Sequence, residues 1–314
     1  MKIKTAKLRL FRTFSTGLVL LIAAVALAAP TAPKADGKPE TFNSATEAAG
    51  ALIAAAEIFD TAALLRIFGE EGKDIIFTGE PARDKEIATA FAAQARIKKT
   101  VKIDPHNKNL AYLTIGADDW PFAVPITKHG ATWSFDLNLG RQELLYRRIG
   151  GNELDAIEIC RGFVEAQHEY ALEKHGGPVN QYAQRIISTP GKQDGLAWQN
   201  ADGSWDGPIG ENVARAIESG YAKGSPYHGY YFRVLTGQGP AAPLGELDYF
   251  IKGYMIGGFA LLAVPADYGN TGVKTFMVSQ DGVVYEKDFG AETREKTKDI
   301  IRFNPDKTWS PVNP

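Results

Sequence analysis

Apolar and small residues recur at helical spacing over the stretch that begins at residue 44. In "SATEAAGALIAAAEIF", Ser44 stands where a helix N-cap is expected, and Glu47 follows three residues later. This pair predicts a capping box, in which each side chain accepts a hydrogen bond from a backbone amide at the helix start. Asp60 and Gly69 then bracket "TAALLRIF" as the N-cap and the end of a second helix.

Beyond a third helix, predicted over 84–97, the periodicity changes from helical to alternating. Short runs rich in β-branched and aromatic residues predict strands at 110–115, 122–126 and 131–137. The "KHG" between the last two has the length and the glycine of a hairpin turn. Three helices followed by a strand meander predict a compact α+β domain over residues 42–146.

A second α+β domain is predicted over 147–314, and it opens with a long helix. Asn152 stands at a possible N-cap, apolar residues follow at helical spacing up to Ala171, and the Gly-Gly-Pro at 176–178 ends the helix. A loop-rich stretch and a short helix over 212–219 come next. The expected arrangement is the long helix packed on an antiparallel sheet. Five strands are predicted for this sheet, at 227–235, 246–252, 257–265, 273–278 and 283–288.

The most aromatic of these strands is "YHGYYFRVL", at 227–235. Successive side chains of a strand point to opposite faces. We interpret one face as a core face and the other as a half-covered face, while a ligand-stacking role for the aromatic side chains stays open. The first face carries His228, Tyr230, Phe232 and Val234, and the second carries Tyr227, Tyr231, Arg233 and Leu235.

The first 28 residues have the features of a signal peptide. Five basic residues and no acidic ones stand in this segment, an apolar run of about fifteen residues follows them, and small residues end the run at Ala28. We expect cleavage there, followed by a disordered linker rich in Pro and Ala over 29–41. The run is shorter than the roughly 20 residues that span a bilayer, so no transmembrane helix is expected after cleavage. The expected location is the periplasm or the exterior of the cell.

Charge and cysteine content narrow the function classes. The full chain carries a net charge of −2, and the leader holds five positive residues and no negative ones, which leaves −7 on the mature chain. An acidic chain lacks the basic surface with which proteins bind nucleic acid. The single cysteine, Cys160, can form no internal disulfide, and we interpret it as a buried side chain on the long helix.

Several catalytic and metal-binding patterns are incomplete. "HEYAL", at 168–172, begins like the zinc-protease motif H-E-x-x-H but has Leu172 in the second histidine position. His168 and His175 lack a third ligand, which argues against a zinc site. The chain shows no P-loop and no G-x-S-x-G elbow. We therefore predict no metal site and no cofactor, and we assign no catalytic residue.

Acidic residues and tryptophans alternate in the loop "DGLAWQNADGSWDG". Indole rings stack on the apolar faces of sugars while carboxylates accept hydrogen bonds from hydroxyl groups, so the loop is a candidate glycan-binding site. A pair of its carboxylates could also catalyse glycosidic hydrolysis. A turn built from Asp, Asn and Gly, with the tryptophans packed on the sheet, is the alternative interpretation. The residues concerned are Asp194, Trp198, Asp202, Trp205 and Asp206.

The stretches "DDWPFAVPI", "SPYHGYYFRVLTGQGPAAP" and "FNPDKTW", among others spread over 42–309, resemble a bacterial exported family catalogued as domain of unknown function 2950. This resemblance implies no reaction and no catalytic residues. From Asn152 onward, the order of "AQHEYA", "GYYFRVLT" and "FALLAVPADYGNTGVKTFMV" is similar to the globular part of type IV pilins and pseudopilins. Their apolar assembly helix has no counterpart here, so a filament subunit is not expected. The element order of 42–146 resembles the cone-shaped domains related to nuclear transport factor 2.

These observations predict an exported envelope protein that binds or scaffolds a partner and catalyses no reaction. The partner would be an envelope protein or a cell-wall glycan. The alternative is a periplasmic hydrolase that acts on a glycan or a peptide through the carboxylates of the 194–206 loop, and it requires the tryptophans and His228 to lie together. The predicted ligand-binding residues are the five of the loop together with Tyr227, His228, Tyr231 and Arg233.

Overall fold

The computed structural model describes residues 37–222 and 224–312. The predicted signal peptide over 1–28 and most of the predicted linker lie outside the described residues. Within the described part, no helix is both long and apolar enough to cross a membrane. Helices and mainly antiparallel sheets make up this part, which confirms the predicted α+β class.

Local capping chemistry starts the first two helices where the sequence predicts them. Ser44 Oγ accepts a hydrogen bond from the Glu47 amide at 3.1 Å, and the Glu47 carboxylate accepts one from the Asn43 amide at 2.9 Å. Asp60 Oδ1 accepts one from the Ala63 amide at 2.9 Å. The helices of this part are α1 (Ala45–Glu57), α2 (Thr61–Phe68), α3 (Lys73–Ile76) and α4 (Pro81–Ile97).

The strands of the first sheet are β1 (Lys99–Ile103), β2 (Leu110–Ile115), β3 (Trp120–Pro121), β4 (Ile126–His129) and β5 (Thr132–Phe135). They are antiparallel in the order β1-β2-β4-β5, with β3 paired to β2. The predicted hairpin turn is confirmed, because His129 pairs with Thr132 across Gly130. The predicted strand at 122–126 is wrong except for its last residue. Pro125 has no amide hydrogen to donate to the sheet, and the chain leaves the sheet before it.

The long helix α5 (Leu137–Tyr170) begins well before the position that the sequence indicates. Asp136 is its N-cap, and its Oδ1 atom accepts hydrogen bonds from the amides two and three residues further on. The predicted cap, Asn152, instead lies inside the helix, where its buried side chain donates to the Thr271 carbonyl at 2.9 Å. The predicted domain boundary after residue 146 therefore falls within one continuous helix.

The strands of the second half are β6 (Arg185–Ile187), β7 (Gly195–Gln199), β8 (Trp205–Asp206), β9 (Tyr230–Leu235), β10 (Gly237–Gln238), β11 (Leu247–Asp248), β12 (Phe250–Ile251), β13 (Tyr254–Met255), β14 (Ala260–Pro265), β15 (Lys274–Ser279), β16 (Val284–Asp288), β17 (Arg302–Phe303) and β18 (Ser310–Pro311). Its short helices are α6 (Gly210–Glu218) and α7 (Thr293–Thr297). The main sheet has the order β18-β16-β15-β14-β9, and every pairing in it is antiparallel. Helix α5 packs on β14 and β15, as predicted for the long helix.

Two hydrophobic clusters form the cores of the described chain. The first lies between α1, α2 and the first sheet and includes Leu52. The second lies between α5 and the main sheet and includes Phe276. Helix α5 contributes to both, with Leu137 in the first and Cys160 in the second. Cys160 is buried, as interpreted from the sequence, and burial raises the pKa of its thiol to about 12.

Strand β9 covers only part of the predicted aromatic strand. Tyr230 is fully buried, and Phe232 and Val234 pack on the second cluster, as the predicted core face requires. The alternation predicts a half-covered face for Leu235, but this side chain is fully buried because it packs in the second cluster. His228 lies in a turn before the strand, with φ of 50°, so it does not follow the alternation.

Candidate functional site

A cleft of about 510 Å³ opens beside strand β7, and we call it the Trp198 cleft. Its walls come from the turn after α5, from residues 191–194 and from residues 198–200. Amide and carboxylate side chains dominate the lining, so the cleft presents both hydrogen-bond donors and acceptors. These side chains are Gln181, Gln193, Asp194, Gln199 and Asn200.

Trp198 is fixed in the wall of this cleft by its neighbours. It lies on β7, which pairs in parallel with β6 and antiparallel with β8. Gly207 approaches the indole so closely that a Cβ atom there would lie 2.7 Å from the ring. The indole ring lies 5.3 Å from that of His175. Because only 9% of Trp198 is exposed, it offers a ligand a narrow contact rather than a full stacking surface.

The end of helix α5 fixes His175, the histidine that lines the cleft beside Trp198. The ring of His175 stacks on that of Tyr170 with centroids 3.8 Å apart, and its Nε2 atom lies 2.9 Å from the Tyr170 carbonyl oxygen. The Tyr170 hydroxyl donates a hydrogen bond to the Gln193 carbonyl, and burial raises its pKa to about 12. One tyrosine therefore joins the helix end to two walls of the cleft.

Asp194 lies in the Trp198 cleft but has most of its hydrogen-bonding capacity occupied. Its Oδ1 atom accepts from the Thr189 amide at 2.7 Å, and its Oδ2 atom accepts from the Thr189 hydroxyl at 2.8 Å. Arg185 Nε lies 3.4 Å from Oδ2. Burial raises the pKa of Asp194, but the Thr189 hydrogen bonds and the Arg185 charge outweigh burial and lower it below its ordinary value. Asp194 therefore stays a carboxylate and holds its own loop together.

Asp202, Trp205 and Asp206 lie in the β7–β8 hairpin and do not line the Trp198 cleft. Asp202 Oδ1 accepts from the amide and the hydroxyl of Ser204, at 3.0 and 2.6 Å. Asp206 Oδ1 accepts from the amide of the next residue. The two aspartates therefore build the turn, as the turn interpretation describes for them.

A second polar group lies where α4, α5 and the turn before β9 meet, and we call it the His228 cluster. His228 Nδ1 lies 2.7 Å from Asp155 Oδ2, and the Arg83 guanidinium donates to the same oxygen at 2.6 Å. The Tyr227 ring lies 4.3 Å from the imidazole. The cluster consists of Glu80, Arg83, Asp155, Tyr221, Tyr227 and His228.

Two carboxyl groups of the His228 cluster are shifted in opposite directions. Glu80 is 7% exposed, and its Oε1 atom accepts from the Gly229 amide at 2.5 Å. Burial raises the pKa of Glu80, despite the lowering effects of the Gly229 amide and of His228. In Asp155, burial is outweighed by the His228 hydrogen bond and the Arg83 charge, so its pKa is lowered. Such opposed shifts are typical of functional sites and also of structural ion-pair networks.

Glu80→Gln is expected to stabilise the protein near neutral pH and to lose that advantage as the pH falls toward about 4.5, the ordinary value for Glu. Because the folded-state pKa of Glu80 is raised, the folded chain binds more protons than the unfolded chain between the two pKa values. Wild-type stability therefore rises as the pH falls through this window. Urea unfolding at several pH values measures the difference between the two proteins.

The matched control for this pH series is Glu86→Gln. Glu86 forms a pair with Arg83 at 3.0 Å, but its side chain is 59% exposed. The substitution removes the same charge without relieving a buried carboxylate, so we expect no comparable gain near neutral pH. An equal gain in both variants would contradict the assignment of the effect to burial of Glu80.

Tyr231 and Arg233 lie apart from the other predicted site residues, against α7 and the residue that follows it. The Arg294 guanidinium lies over the Tyr231 ring, 4.9 Å from its centroid. Arg233 donates to the carbonyls of Thr297 and Lys298, the latter at 2.8 Å. Cationic side chains are favourable at a helix C-terminus, because the last carbonyls there lack partners within the helix. These two residues hold a short helix in place.

The predicted site residues thus do not form one site. Asp194 and Trp198 line the Trp198 cleft, whereas Tyr227 and His228 belong to the His228 cluster. Sequence reasoning missed Glu80, Arg83 and Asp155 as well as the glutamines of the cleft. The hydrogen-bonded partners in the His228 cluster are 72 or more residues apart along the chain, for example His228 and Asp155, so no local spacing could have shown them.

His168 and His175, the two histidines weighed as metal ligands, have separate aromatic surroundings. The His168 ring lies 5.4 Å from that of Phe259, whereas His175 stacks on Tyr170. Residues 37–222 and 224–312 contain no group of three or more His, Cys, Asp or Glu side chains placed to hold a metal ion. The described residues therefore offer no ligand set for a metal.

Comparison with known proteins gives a family but no activity. A family model described as "Protein of unknown function (DUF2950)" matches residues 39–312, nearly the whole described chain. No curated protein matches the sequence. No solved structure matches it either.

Proposed function

We propose that this chain, which belongs to the DUF2950 family of proteins of unknown function, is an exported binding protein of the cell envelope. Its Trp198 cleft binds a hydroxyl-rich ligand such as a cell-wall glycan, and it catalyses no reaction on it. The signal-peptide features of residues 1–28 and the acidic mature chain support the location. The polar lining of the cleft is the observation that carries the proposal.

The size and chemistry of the cleft match a glycan better than an apolar ligand. Its volume of about 510 Å³ lies within the range of small-molecule sites, roughly 300–1,000 Å³. Side-chain amides both donate and accept hydrogen bonds, as sugar hydroxyl groups do. Gln193 and Asn200 are exposed in the lining, and Trp198 with His175 adds an aromatic contact for the C–H face of a sugar ring.

Hydrolysis through the carboxylates of the 194–206 loop is less well supported than binding. Glycosidic hydrolysis needs two carboxyl groups roughly 5–9.5 Å apart, one of which has a raised pKa and acts as the acid. Asp194 is the one carboxylate among the described residues that line the cleft, and its pKa is lowered. Asp202 and Asp206 are engaged in the turn. The cleft therefore lacks the pair that the chemistry requires.

Gln193→Ala is expected to weaken glycan binding about tenfold, which is the loss of ~1.4 kcal/mol that one or two hydrogen bonds contribute. The backbone carbonyl of Gln193, which accepts from Tyr170, is retained in this variant. Calorimetric titration of the mature protein with soluble cell-wall glycan fragments measures the affinity. Analysis of the fragments after incubation detects any cleavage.

Gln142→Ala is the matched control, because Gln142 is an exposed glutamine on α5 remote in sequence from the cleft walls. We expect its affinity to equal that of the wild type. Equal weakening in both variants would place the glycan elsewhere. Release of shorter fragments by the wild type would favour the hydrolase instead.

A further inference from the structure

Helix α5 carries a row of apolar side chains that the described residues leave largely uncovered. Leu139 and Tyr146 are each 62% exposed, and Leu154 is 65% exposed. They are seven and eight positions apart, which at about 3.6 residues per turn places them along one side of the helix. We call this side the α5 face. Single exposed apolar side chains are ordinary, but several on one face are typical of an interaction surface.

Strand β3 extends the α5 face with a fourth large side chain. Trp120 is 59% exposed, and the Arg147 guanidinium lies over its ring, 5.1 Å from the centroid. Arg147 also donates to the Pro121 carbonyl at 2.6 Å and to the Glu143 carboxylate at 2.7 Å. These contacts hold the arginine and the indole together beside Tyr146. The edge of the face is therefore fixed by contacts within the chain.

A glycine lies at the centre of the α5 face. Gly150 is four positions after Tyr146 and four positions before Leu154. A Cβ atom at Gly150 would meet no atom within 4 Å among the described residues. Glycine destabilises the interior of a helix relative to alanine, and no contact within the described chain requires it here. The missing side chain does allow the backbone of another helix to approach α5 closely.

The residues of the α5 face are arranged symmetrically about Gly150. A two-fold axis beside this glycine would place a second α5 antiparallel to the first. Tyr146 of each copy would then lie against Leu154 of the other copy, and the two glycines would meet at the axis. A two-fold interface requires this kind of self-complementary surface, because the same residues occur on both sides of it.

The charges of α5 favour the same antiparallel orientation. From 137 to 151 the helix carries three arginines and one glutamate, and from 152 to 170 it carries five carboxylates and one arginine. An antiparallel pair brings opposite charges together, whereas a parallel pair opposes like charges. Arg141, Arg148 and Asp155 already have partners within the chain. Near the centre, the two-fold axis brings Arg147 of each copy to Glu153 of the other.

We propose that the α5 face binds a second copy of this chain, in an antiparallel contact between the two α5 helices whose two-fold axis lies beside Gly150. Tyr146 and Leu154 form the centre of this contact, and Trp120 lies at its edge. None of these residues lines the Trp198 cleft, so the proposal does not depend on glycan binding.

Sedimentation equilibrium of the mature protein over a wide range of concentrations tests the contact. We expect a reversible equilibrium between monomer and dimer. Leu154→Glu should weaken the dimer about tenfold or more, because it places a carboxylate against the Tyr146 ring twice in one interface. Leu244→Glu, the same change at a side chain that is 92% exposed outside α5, should leave the dimer unchanged. A monomer at every concentration, or a dimer that Leu154→Glu leaves intact, would overturn the proposal.

Gly150→Ala separates the contact from the stability of the helix. In the monomer the added methyl group meets open space and alanine favours the helix, so the urea midpoint of dilute protein should rise. The dimer should weaken about tenfold, because two such methyl groups meet at the axis. Gly162→Ala, about a third of a turn away from Gly150 around α5 and also open, should raise the midpoint without affecting the dimer. A dimer of wild-type strength in Gly150→Ala would refute the position of the axis.

Disulfide cross-linking determines the orientation of the two helices. The variants Tyr146→Cys and Leu154→Cys are prepared separately and are oxidised alone and as a mixture. An antiparallel contact brings position 146 of one copy to position 154 of the other, so the mixture should form linked dimers faster than either variant alone. The native Cys160 is buried and does not compete. Faster linking in either single variant than in the mixture would refute the antiparallel arrangement.

Discussion

We expect Phe259→Ala to lower the free energy of unfolding by about 3–5 kcal/mol, because truncating a buried phenylalanine loses transfer free energy and leaves a cavity. Phe259 is fully buried. Its ring lies 4.8 Å from that of Tyr182, 5.4 Å from that of His168 and 5.8 Å from that of Phe163. Three aromatic neighbours on α5 and on the segment that follows it cannot all move in to fill the space.

Urea unfolding of the mature protein measures this loss, with an unchanged m-value as the sign that the two proteins unfold between similar states. Leu244→Ala is the control, since Leu244 is 92% exposed. Its effect should lie within about 0.5 kcal/mol of zero. A loss below about 1 kcal/mol for Phe259→Ala would show that these rings do not form a tightly packed contact between α5 and the main sheet.

Gln167→Leu should lower the free energy of unfolding by about 2–6 kcal/mol, because it leaves two buried backbone groups without partners at roughly 1–3 kcal/mol each. Gln167 is fully buried on α5. Its Nε2 atom donates to the Ala183 carbonyl at 2.9 Å, and its Oε1 atom accepts from the Ala183 amide at 2.8 Å. Leucine preserves the approximate volume but can make neither hydrogen bond. The same change should loosen the segment that carries Gln181 into the Trp198 cleft.

Two measurements separate the parts of this prediction. Urea unfolding gives the total loss, and hydrogen exchange at the Ala183 amide reports whether that amide has lost its partner. Gln142→Leu, on an exposed position of the same helix, should leave both quantities near the wild-type values. Unchanged exchange at Ala183 in Gln167→Leu would contradict the role assigned to the glutamine.

Features that depend on neighbouring residues could be predicted from the sequence. The caps at Ser44 and Asp60 arise from side chains that reach amides three residues away, so their chemistry is visible in the order of residues. The β4–β5 hairpin follows in the same way from a glycine that adopts φ of 64°. The burial of Cys160 follows from its place on the apolar side of a helix.

The start of α5 could not be predicted, because packing overrides local preference there. Gly150 and Gly151 each disfavour a helix by about 1 kcal/mol relative to alanine, and Asn152, directly after them, is a residue type that is typical of an N-cap. The helix nevertheless continues through them, since Leu137 packs in the first cluster and Cys160 in the second. The true cap, Asp136, was hidden within a segment that the sequence predicts as a strand.

The sequence analysis names only some of the residues of the Trp198 cleft and the His228 cluster, because long-range packing decides the others as well. Asp194 and Trp198, which the sequence analysis names, line a cleft, and His175 and Gln181 reach the same cleft from the residues that follow α5. Which side chains come into contact across the fold depends on which segments of the chain pack together. The residue types alone do not show which segments do so. The acidic character of Glu80 was plain in the sequence, whereas its burial was not.

The buried thiol of Cys160 can serve as a natural probe for the separation of α5 from the main sheet. A reagent can reach this side chain only when α5 separates from the main sheet, because the residue is fully buried. With no second cysteine in the chain, the labelling rate reports that one event and needs no introduced reporter. Burial also prevents the sulfur from forming mixed disulfides for as long as α5 stays packed on the main sheet.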